Sequence, residues 1–386
     1  FTFVNAWFES VSGYTTTGST VVNNIEALPK GILFWRSSTH WIGGMGVILF
    51  TILILPGSNT SKLVLLNTEM SQLAKTNFKY RTAEILRILI YVYLGLTILE
   101  TFLLIVAGLS FFDAINHSFA TIATGGFSTK NLSVSYYNSI SVELIIIIFM
   151  VLSGVHFGLT FNTITGNKKN LLRSSIFKAY IAFLVVGILL VTFKLYLEGI
   201  YPWWESLRHA SFQVVSLGTT TGFATVDTAN WPGFTQIVLI YFTIQCAMIG
   251  STSGGLKFDR IFIFFKSIKK QINQIQHPRA IISLKIDGNA VPDNTELHTM
   301  IFIILYLGII LISTALLTFL NVDNFTAFTG SVATIGNVGP GFGNVSSLGN
   351  YSTLPDLGKI ILSINMLLGR LEIYGIISLF FIKSWK

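Results

Sequence analysis

Four short segments of the chain end in threonine and glycine. In order they read Thr15-Thr16-Thr17-Gly18, Ile122-Ala123-Thr124-Gly125, Thr219-Thr220-Thr221-Gly222 and Ala333-Thr334-Ile335-Gly336. No carboxylate lies within them, so what they offer is neutral oxygen from carbonyls and hydroxyls. Glycine permits the dihedrals that let successive carbonyls face one axis. Rings of carbonyls can replace the hydration shell of a cation. The chemistry expected is coordination of a dehydrated monovalent cation. The candidate ligating residues are Thr16, Thr17 and Gly18; Ala123, Thr124 and Gly125; Thr220, Thr221 and Gly222; and Ile335, Gly336 and Asn337. A ring of Asp or Glu would instead indicate a filter working by side-chain charge. One such turn alone reads as a helix-capping loop; the argument rests on four in register.

Something must hold these turns together. Each follows a moderately apolar segment of roughly 12 residues: Phe3–Tyr14, Phe112–Ile122, Trp204–Leu217 and Val322–Ala333. These are too short to span a bilayer, which takes about 20 residues. Seven stretches are long enough: roughly 32–56, 83–108, 141–165, 175–199, 234–256, 297–320 and 357–383. The pattern is an internal repeat with a period of roughly 100 residues. Each unit reads as spanning helix, short re-entrant helix, Thr/Gly turn, spanning helix, and the first unit lacks its leading helix. The expected fold is therefore an all-α membrane protein of four pseudo-symmetric repeats around a central pore. The units cover 1–56, 83–165, 173–270 and 296–386. Irregular backbone is tolerated in a bilayer where it is packed in protein or lines a watery cavity, so four such turns ask for one common cavity. The short helices would aim their negative C-terminal ends at it.

Composition agrees with a lipid solvent. Of 386 residues 52% are hydrophobic and 11% charged, against about 25% charged in a soluble domain. Six tryptophans (Trp35, Trp41, Trp203, Trp204, Trp231 and Trp385) fall near the ends of the apolar stretches, where membrane interfaces favour them. Cys246 is the only cysteine and the six histidines show no ligand spacing, which removes disulfides and a Cys/His metal site from consideration. The net charge of +8 raises nucleic-acid binding as a class. The basic residues instead sort by topology. If the re-entrant loops enter from outside, 17 of them fall on the cytoplasmic side and six on the other. The longest polar linker, about Lys257 to Glu296, reads either as a docking surface for a cytosolic partner or as a solvated connector.

Two further features break the rules for spanning helices. Gly250-Ser251-Thr252-Ser253-Gly254-Gly255 interrupts the second helix of the third unit. It reads as a mobile loop below the filter, or as a helix end at the cytoplasmic surface. Arg370 lies inside the last apolar stretch, about 15 residues or roughly 22 Å from its outer end. It would oppose cation passage, or form an ion pair with another helix; Glu372 points elsewhere on the same helix. His40 and His156 read as hydrogen-bonded core residues. Trp41-Ile42-Gly43-Gly44-Met45-Gly46 reads as close helix packing.

At these motifs the chain resembles the Trk/Ktr/HKT superfamily of potassium transporters, in its TrkH branch. The resemblance runs over essentially the whole chain. It is carried by Phe34-Trp35-Arg36-Ser37, the Trp41–Gly46 run, Thr121-Ile122-Ala123-Thr124-Gly125-Gly126-Phe127-Ser128 and Thr219-Thr220-Thr221-Gly222-Phe223. The runs Gly250–Lys257 and Gly336-Asn337-Val338-Gly339-Pro340-Gly341 complete it. It implies potassium uptake, with filter glycines Gly18, Gly125, Gly222 and Gly336. It also implies gating by the Gly250, Ser251, Thr252, Ser253, Gly254 and Gly255 loop with Arg370 below the filter. It further implies a homodimer in the bacterial inner membrane, multi-pass, with a nucleotide-binding regulatory subunit of TrkA type on the cytoplasmic side. No cofactor is expected in this chain: potassium is the transported ion, held by the filter residues only, and nucleotide belongs to the partner. Gly at position 18, where some sodium-passing relatives carry Ser, supports potassium. The chain departs from the family in lacking the leading helix of the first repeat and the extra N-terminal helices. A proton- or sodium-coupled potassium symporter remains the alternative, which a titratable residue near the pathway would favour. Nothing in the chain supports an enzyme.

Overall fold

The computed structural model describes residues 1–54, 82–166, 170–280 and 282–380. The basic positions Lys62, Lys75, Lys79, Arg81, Lys168, Lys169, Lys383 and Lys386, Trp385, and the ends of the predicted 32–56 and 357–383 stretches lie outside them. The first unit holds α1 (Phe3–Tyr14) and α2 (Lys30–Ile54), and the second holds α3 (Thr82–Val106), α4 (Phe111–Ile122), α5 (Ile140–Gly154) and α6 (Phe157–Thr165). After the short α7 (Asn170–Arg173) come α8 (Ser175–Leu197), α9 (Trp203–Gly218), α10 (Gly233–Gln245) and α11 (Phe258–Gln276). A hairpin of β1 (Lys285–Ile286) and β2 (Asn289–Ala290) leads to α12 (Asp293–Phe319), α13 (Asn324–Ile335), α14 (Asp356–Arg370) and α15 (Ile373–Phe380).

The boundaries follow local chemistry. Thr2, Ser110 and Asp323 cap the short helices α1, α4 and α13 with side-chain oxygens on backbone N–H groups. Proline precedes α9, α10, α12 and α14, where its missing donor costs nothing. The short helices lie within two residues of the predicted segments at each end.

Among the described residues, three helices are long and apolar enough to cross a membrane: Leu89–Val106 in α3, Ser175–Leu197 and Asn294–Phe319 in α12. These are the leading helices of units two to four. Each turns large apolar side chains outward, among them Phe102, Phe193 and Leu311, as a lipid-facing surface requires. The second helices of units two to four are broken, whereas the sequence predicts an interruption only in the third, at Gly250–Gly255. The 141–165 stretch is two helices, α5 and α6, bent by 105° at Val155-His156. The 234–256 stretch is helical only to Gln245, and the last stretch breaks at Leu371-Glu372. The first two interruptions satisfy each other's backbone. Phe157 N–H donates to Gly250 O at 3.0 Å and Met248 N–H to Gly154 O at 3.1 Å, which is what makes non-helical backbone affordable at membrane depth.

Among the described residues, one apolar core, around Tyr180, Leu184 and Phe242, lies mostly within unit three, and four others sit between units and close a cycle. Tyr93, Ile122 and Phe149, with Trp41 against them, join units one and two. Ile146, Met150 and Phe223 join two and three. Leu256 and Ile261 meet Tyr306 and Ile335 between three and four. Phe8 meets Leu317, Leu362 and Met366 between four and one.

Candidate functional site

All four short helices end in the same way. The N–H groups of Thr17, Gly125, Thr221 and Val338 donate to the carbonyls of Ser12, Ala120, Ser216 and Ala333, at 2.7–2.9 Å. One residue earlier, Thr16, Thr124, Thr220 and Asn337 donate to Gly13, Thr121, Leu217 and Thr334. This pair of bonds is a Schellman motif, which needs a left-handed residue, usually glycine. Here the left-handed residues are Thr16, Thr124, Thr220 and Asn337, with φ of 53°, 53°, 63° and 52°. A β-branched residue in that region is an outlier, at a cost of about 1–2 kcal/mol each. Strain of this kind gathers at functional sites.

Two residues further on, Gly18, Gly126, Gly222 and Gly339 have φ of 82°, 78°, 78° and 98°. Their surroundings close a ring. A Cβ on Gly18 would strike Gly125 O, one on Gly126 Thr221 O, one on Gly222 Val338 O, and one on Gly339 Thr17 O. Each glycine therefore backs onto the carbonyl just before the next unit's glycine, and the fourth returns to the first. All four line one outer cavity of about 110 Å³, room for several waters.

The ring is braced from outside. Thr15 and Thr17 hydroxyls bond at 2.8 Å, and those of Thr219 and Thr221 at 2.9 Å. Each short helix also holds the strand that leaves its turn. Glu9 accepts from Thr20 Oγ1 and Val21 N–H, both at 2.9 Å, and pairs with Arg36 at 2.7 Å. His117 Nε2 lies 3.0 Å from Ser128 Oγ, Gln213 Nε2 donates to Val226 O at 3.1 Å, and Thr329 Oγ1 to Phe342 O at 3.2 Å. On α2, His40 stacks on Phe127 with centroids 4.0 Å apart, and Arg36 sits 4.1 Å from the same ring. Unit four joins unit one through Ser19 Oγ to Gly339 O at 3.1 Å and Asn337 Nδ2 to Thr17 Oγ1 at 3.0 Å. In contrast, Thr16 Oγ1, Thr220 Oγ1 and Asn337 Oδ1 are buried without a hydrogen-bond partner. Buried oxygens are rarely left so. At equivalent positions of three units, they suit a cation.

The sequence places two of the four turns out of register. Gly125 occupies the position of Thr17, one residue before the left-handed glycine, which is Gly126. Gly336 caps α13, three residues before Gly339, so Ile335 belongs to the helix. Ala123 is likewise the C-cap of α4. The tandem Gly125-Gly126 and the use of Asn337 and Val338 in place of threonines hide the match. Gly126, Gly339 and Val338 are the site residues that reading missed; the Gly-Phe pair shared by 126–127 and 222–223 is the signal that finds the first.

Beneath the turns lies the segment from Cys246 to Lys257. It is not a helix end at the surface: Ser251, Thr252 and Ser253 are 1–6% exposed. Thr252 Oγ1 donates to Ile122 O, at the end of α4, at 2.9 Å. Gly254 packs against Asn337, and Gly255 against Gly336 and Cys246. Both ends of the segment are strained, with φ of 58° at Cys246 and 69° at Lys257. Lys257 Nζ folds back onto Ser253 O. Arg370 ties this segment to the first unit. Its guanidinium donates to Thr252 O and, at 3.0 Å each, to the carbonyls of Gly43 and Gly44. The two glycines also pack closely, Gly43 on Tyr14 and Gly44 on Ala123. The buried ion pair in this region belongs instead to Glu372, whose carboxylate lies 2.6 Å from Arg260, with Phe302 3.8 Å from that guanidinium. His156 caps α6, its Nδ1 accepting from Gly158 N–H at 3.0 Å, and its ring abuts Gly250.

The TrkH family model, described as a cation transport protein, matches residues 1–385. The chain is 37% identical over 388 residues to the Trk system potassium uptake protein TrkH of Salmonella typhimurium, covering all of this chain and 80% of that one. It is 36% identical to the Trk system potassium uptake protein TrkG of Escherichia coli, covering all of this chain and 79% of that one. The fold is similar to the crystal structure of the potassium transporter TrkH from Vibrio parahaemolyticus. That match has a TM-score of 0.88 and 34% identity, covering 98% of this chain and 78% of that one.

Proposed function

Since the chain belongs to the TrkH family of cation transport proteins, we propose that it takes up potassium through a filter formed by the four turns. The observation that carries this reading is the closed cycle in which each left-handed glycine backs onto the next unit's carbonyl. The oxygens are neutral, the short helices end at the ring with their negative dipole ends, and three buried side-chain oxygens are unspent. Such a site strips water from a monovalent cation and returns it without proton chemistry. The ion is cargo, and no cofactor takes part within this chain.

The Cys246–Lys257 segment and Arg370 are the barrier below the filter. The segment touches the ends of two turns, and a guanidinium at membrane depth opposes a cation in a low dielectric. Arg370 also holds the segment shut, through Thr252 O and the two α2 carbonyls. Opening is driven from the cytoplasmic side by a nucleotide-binding regulatory subunit. The surface it would use is α11, directly continuous with the segment, with Lys266 and Lys269 beside an exposed stripe of Phe265, Ile268, Ile272 and Ile275. The working unit is a homodimer in the bacterial inner membrane.

The test is flux into liposomes per folded protein. Potassium uptake that exceeds sodium uptake and persists without a pH gradient supports the reading. Equal permeation of both ions would remove the filter; uptake only with a proton gradient would make the protein a symporter.

A further inference from the structure

Glu9, His117 and Gln213 stand at one place in their short helices, seven residues ahead of the left-handed Thr16, Thr124 and Thr220. The residues four positions beyond those threonines are Thr20, Ser128 and Ala224. In unit one, Val22 N–H donates to Thr20 Oγ1 at 3.1 Å, and Thr20 Oγ1 donates to the Glu9 carboxylate at 2.9 Å. In unit two, Lys130 N–H donates to Ser128 Oγ, and Ser128 Oγ meets His117 Nε2, both at 3.0 Å. The two relays correspond link for link. Unit three has Ala224 in place of the hydroxyl residue, and there Gln213 gives its amide N–H to Val226 O. An acceptor thus accompanies a hydroxyl, and a donor accompanies a carbonyl.

The other ring nitrogen of His117 gives the second relay its direction. Nδ1 lies 2.8 Å from Asp113 O, and a carbonyl only accepts. Nδ1 therefore carries hydrogen, and in a neutral ring Nε2 is bare and takes the Ser128 proton, as Glu9 takes that of Thr20. With Nε2 protonated, Ser128 Oγ would face two donors and its own hydrogen would lose this acceptor. The ring is fully buried, with Tyr137 edge-on at 5.4 Å and Phe223, the residue after Gly222, at 5.6 Å.

We propose that His117 is a positioning residue, held as the neutral Nδ1–H tautomer, that latches the strand leaving the second turn. Ser128 is two residues past Gly126, as Thr20 is two past Gly18, and both border the outer cavity. The latch therefore acts where the chain leaves the ring, and through Phe223 it bears on the strand leaving the third turn as well.

The proposal rests on the filter reading for its transport readout; the tautomer is read without it. Solid-state NMR of the full chain with ¹⁵N-labelled histidine in liposomes should show, at neutral pH, one ring with hydrogen on Nδ1 and a bare Nε2 that His117→Gln removes. An Nε2–H tautomer or an imidazolium in that signal would overturn the proposal. His117→Leu should lower the potassium/sodium ratio about fivefold, the scale of one buried hydrogen bond. His117→Gln, the amide that unit three uses, should recover most of that loss, since its oxygen can accept from Ser128. Ser128→Ala should act like His117→Leu and serves if that variant does not fold. The double variant should lose no more than either alone, because both cut one relay. Additive losses, or no recovery with Gln, would make His117 a packing residue and overturn the latch. An unchanged ratio in His117→Leu and Ser128→Ala, where Gly18→Ser lowers it, would also overturn the latch. If Gly18→Ser is without effect as well, the filter reading is what has failed.

Discussion

Replacing Gly18 by Ser separates two costs that the ring imposes. The first is conformational: φ at Gly18 is 82°, and a side chain in left-handed backbone costs about 1–2 kcal/mol. The second is a collision, because the new Cβ overlaps Gly125 O, and that carbonyl is one of four in its layer. Displacing it removes a contact of the strength of a hydrogen bond to a charged group, about 1.5–3 kcal/mol. If potassium depends on that oxygen and sodium does not, the potassium/sodium ratio falls by about 10- to 100-fold. Gly199→Ala is the control. Its φ is 67° but nothing lies within 4 Å of its added Cβ, so it carries strain without collision and should lower stability while leaving the ratio alone. Both are measured as potassium flux against competing sodium in liposomes, per folded protein. An unchanged ratio in well-expressed Gly18→Ser, or an equal fall in Gly199→Ala, would refute the reasoning.

Arg370→Ala should raise basal flux per folded protein, since it frees Thr252 O and removes a positive charge from the proposed barrier; a drop in abundance with unchanged flux would mean a tether alone. Shortening the Gly250–Gly255 run should raise basal flux and lessen dependence on the cytosolic regulator, read as uptake with and without it. Glu372→Leu removes both the counter-charge and the acceptor from the buried Arg260 guanidinium and should cost about 3–5 kcal/mol, seen as a lower denaturation midpoint in detergent. Gly126→Ser should lower the potassium/sodium ratio as Gly18→Ser does, because its side chain would strike Thr221 O; an intact ratio would return the second turn to the Gly125 register.

Much of this architecture is written in residue type and spacing. The short helices announce themselves by length, since a dozen apolar residues cannot cross a bilayer, and Thr-Thr-Thr-Gly appears intact in units one and three. The register of units two and four is harder to read because it depends on φ, which no residue name displays. Thr124 and Asn337 adopt left-handed backbone that glycine would adopt more cheaply, and the eye is drawn to Gly125 and Gly336 instead. The breaks in the second helices were legible only where glycine and serine mark them. The bend at Val155-His156 is marked too, by Ser153-Gly154 before it, but its partners are distant: Gly250 O accepts from Phe157 N–H, and Met248 N–H donates to Gly154 O. Arg370 was visible as an anomaly, but its partners are backbone carbonyls, which sequence cannot single out.

The cycle of glycines and carbonyls bears on how the protein is made. The first and fourth turns are neighbours in space, joined by Ser19 to Gly339 and by Asn337 to Thr17, although most of the chain separates them. A ribosome delivers the turns in sequence order. Three of them are inserted in the membrane while the place of the fourth is still open, and the carbonyl of Val338 that backs Gly222 has not yet been synthesised. The ring cannot close until α13 arrives. A nascent chain that stalls before this point lacks the fourth member of the ring, so the proposed filter is completed only by the last of the four units.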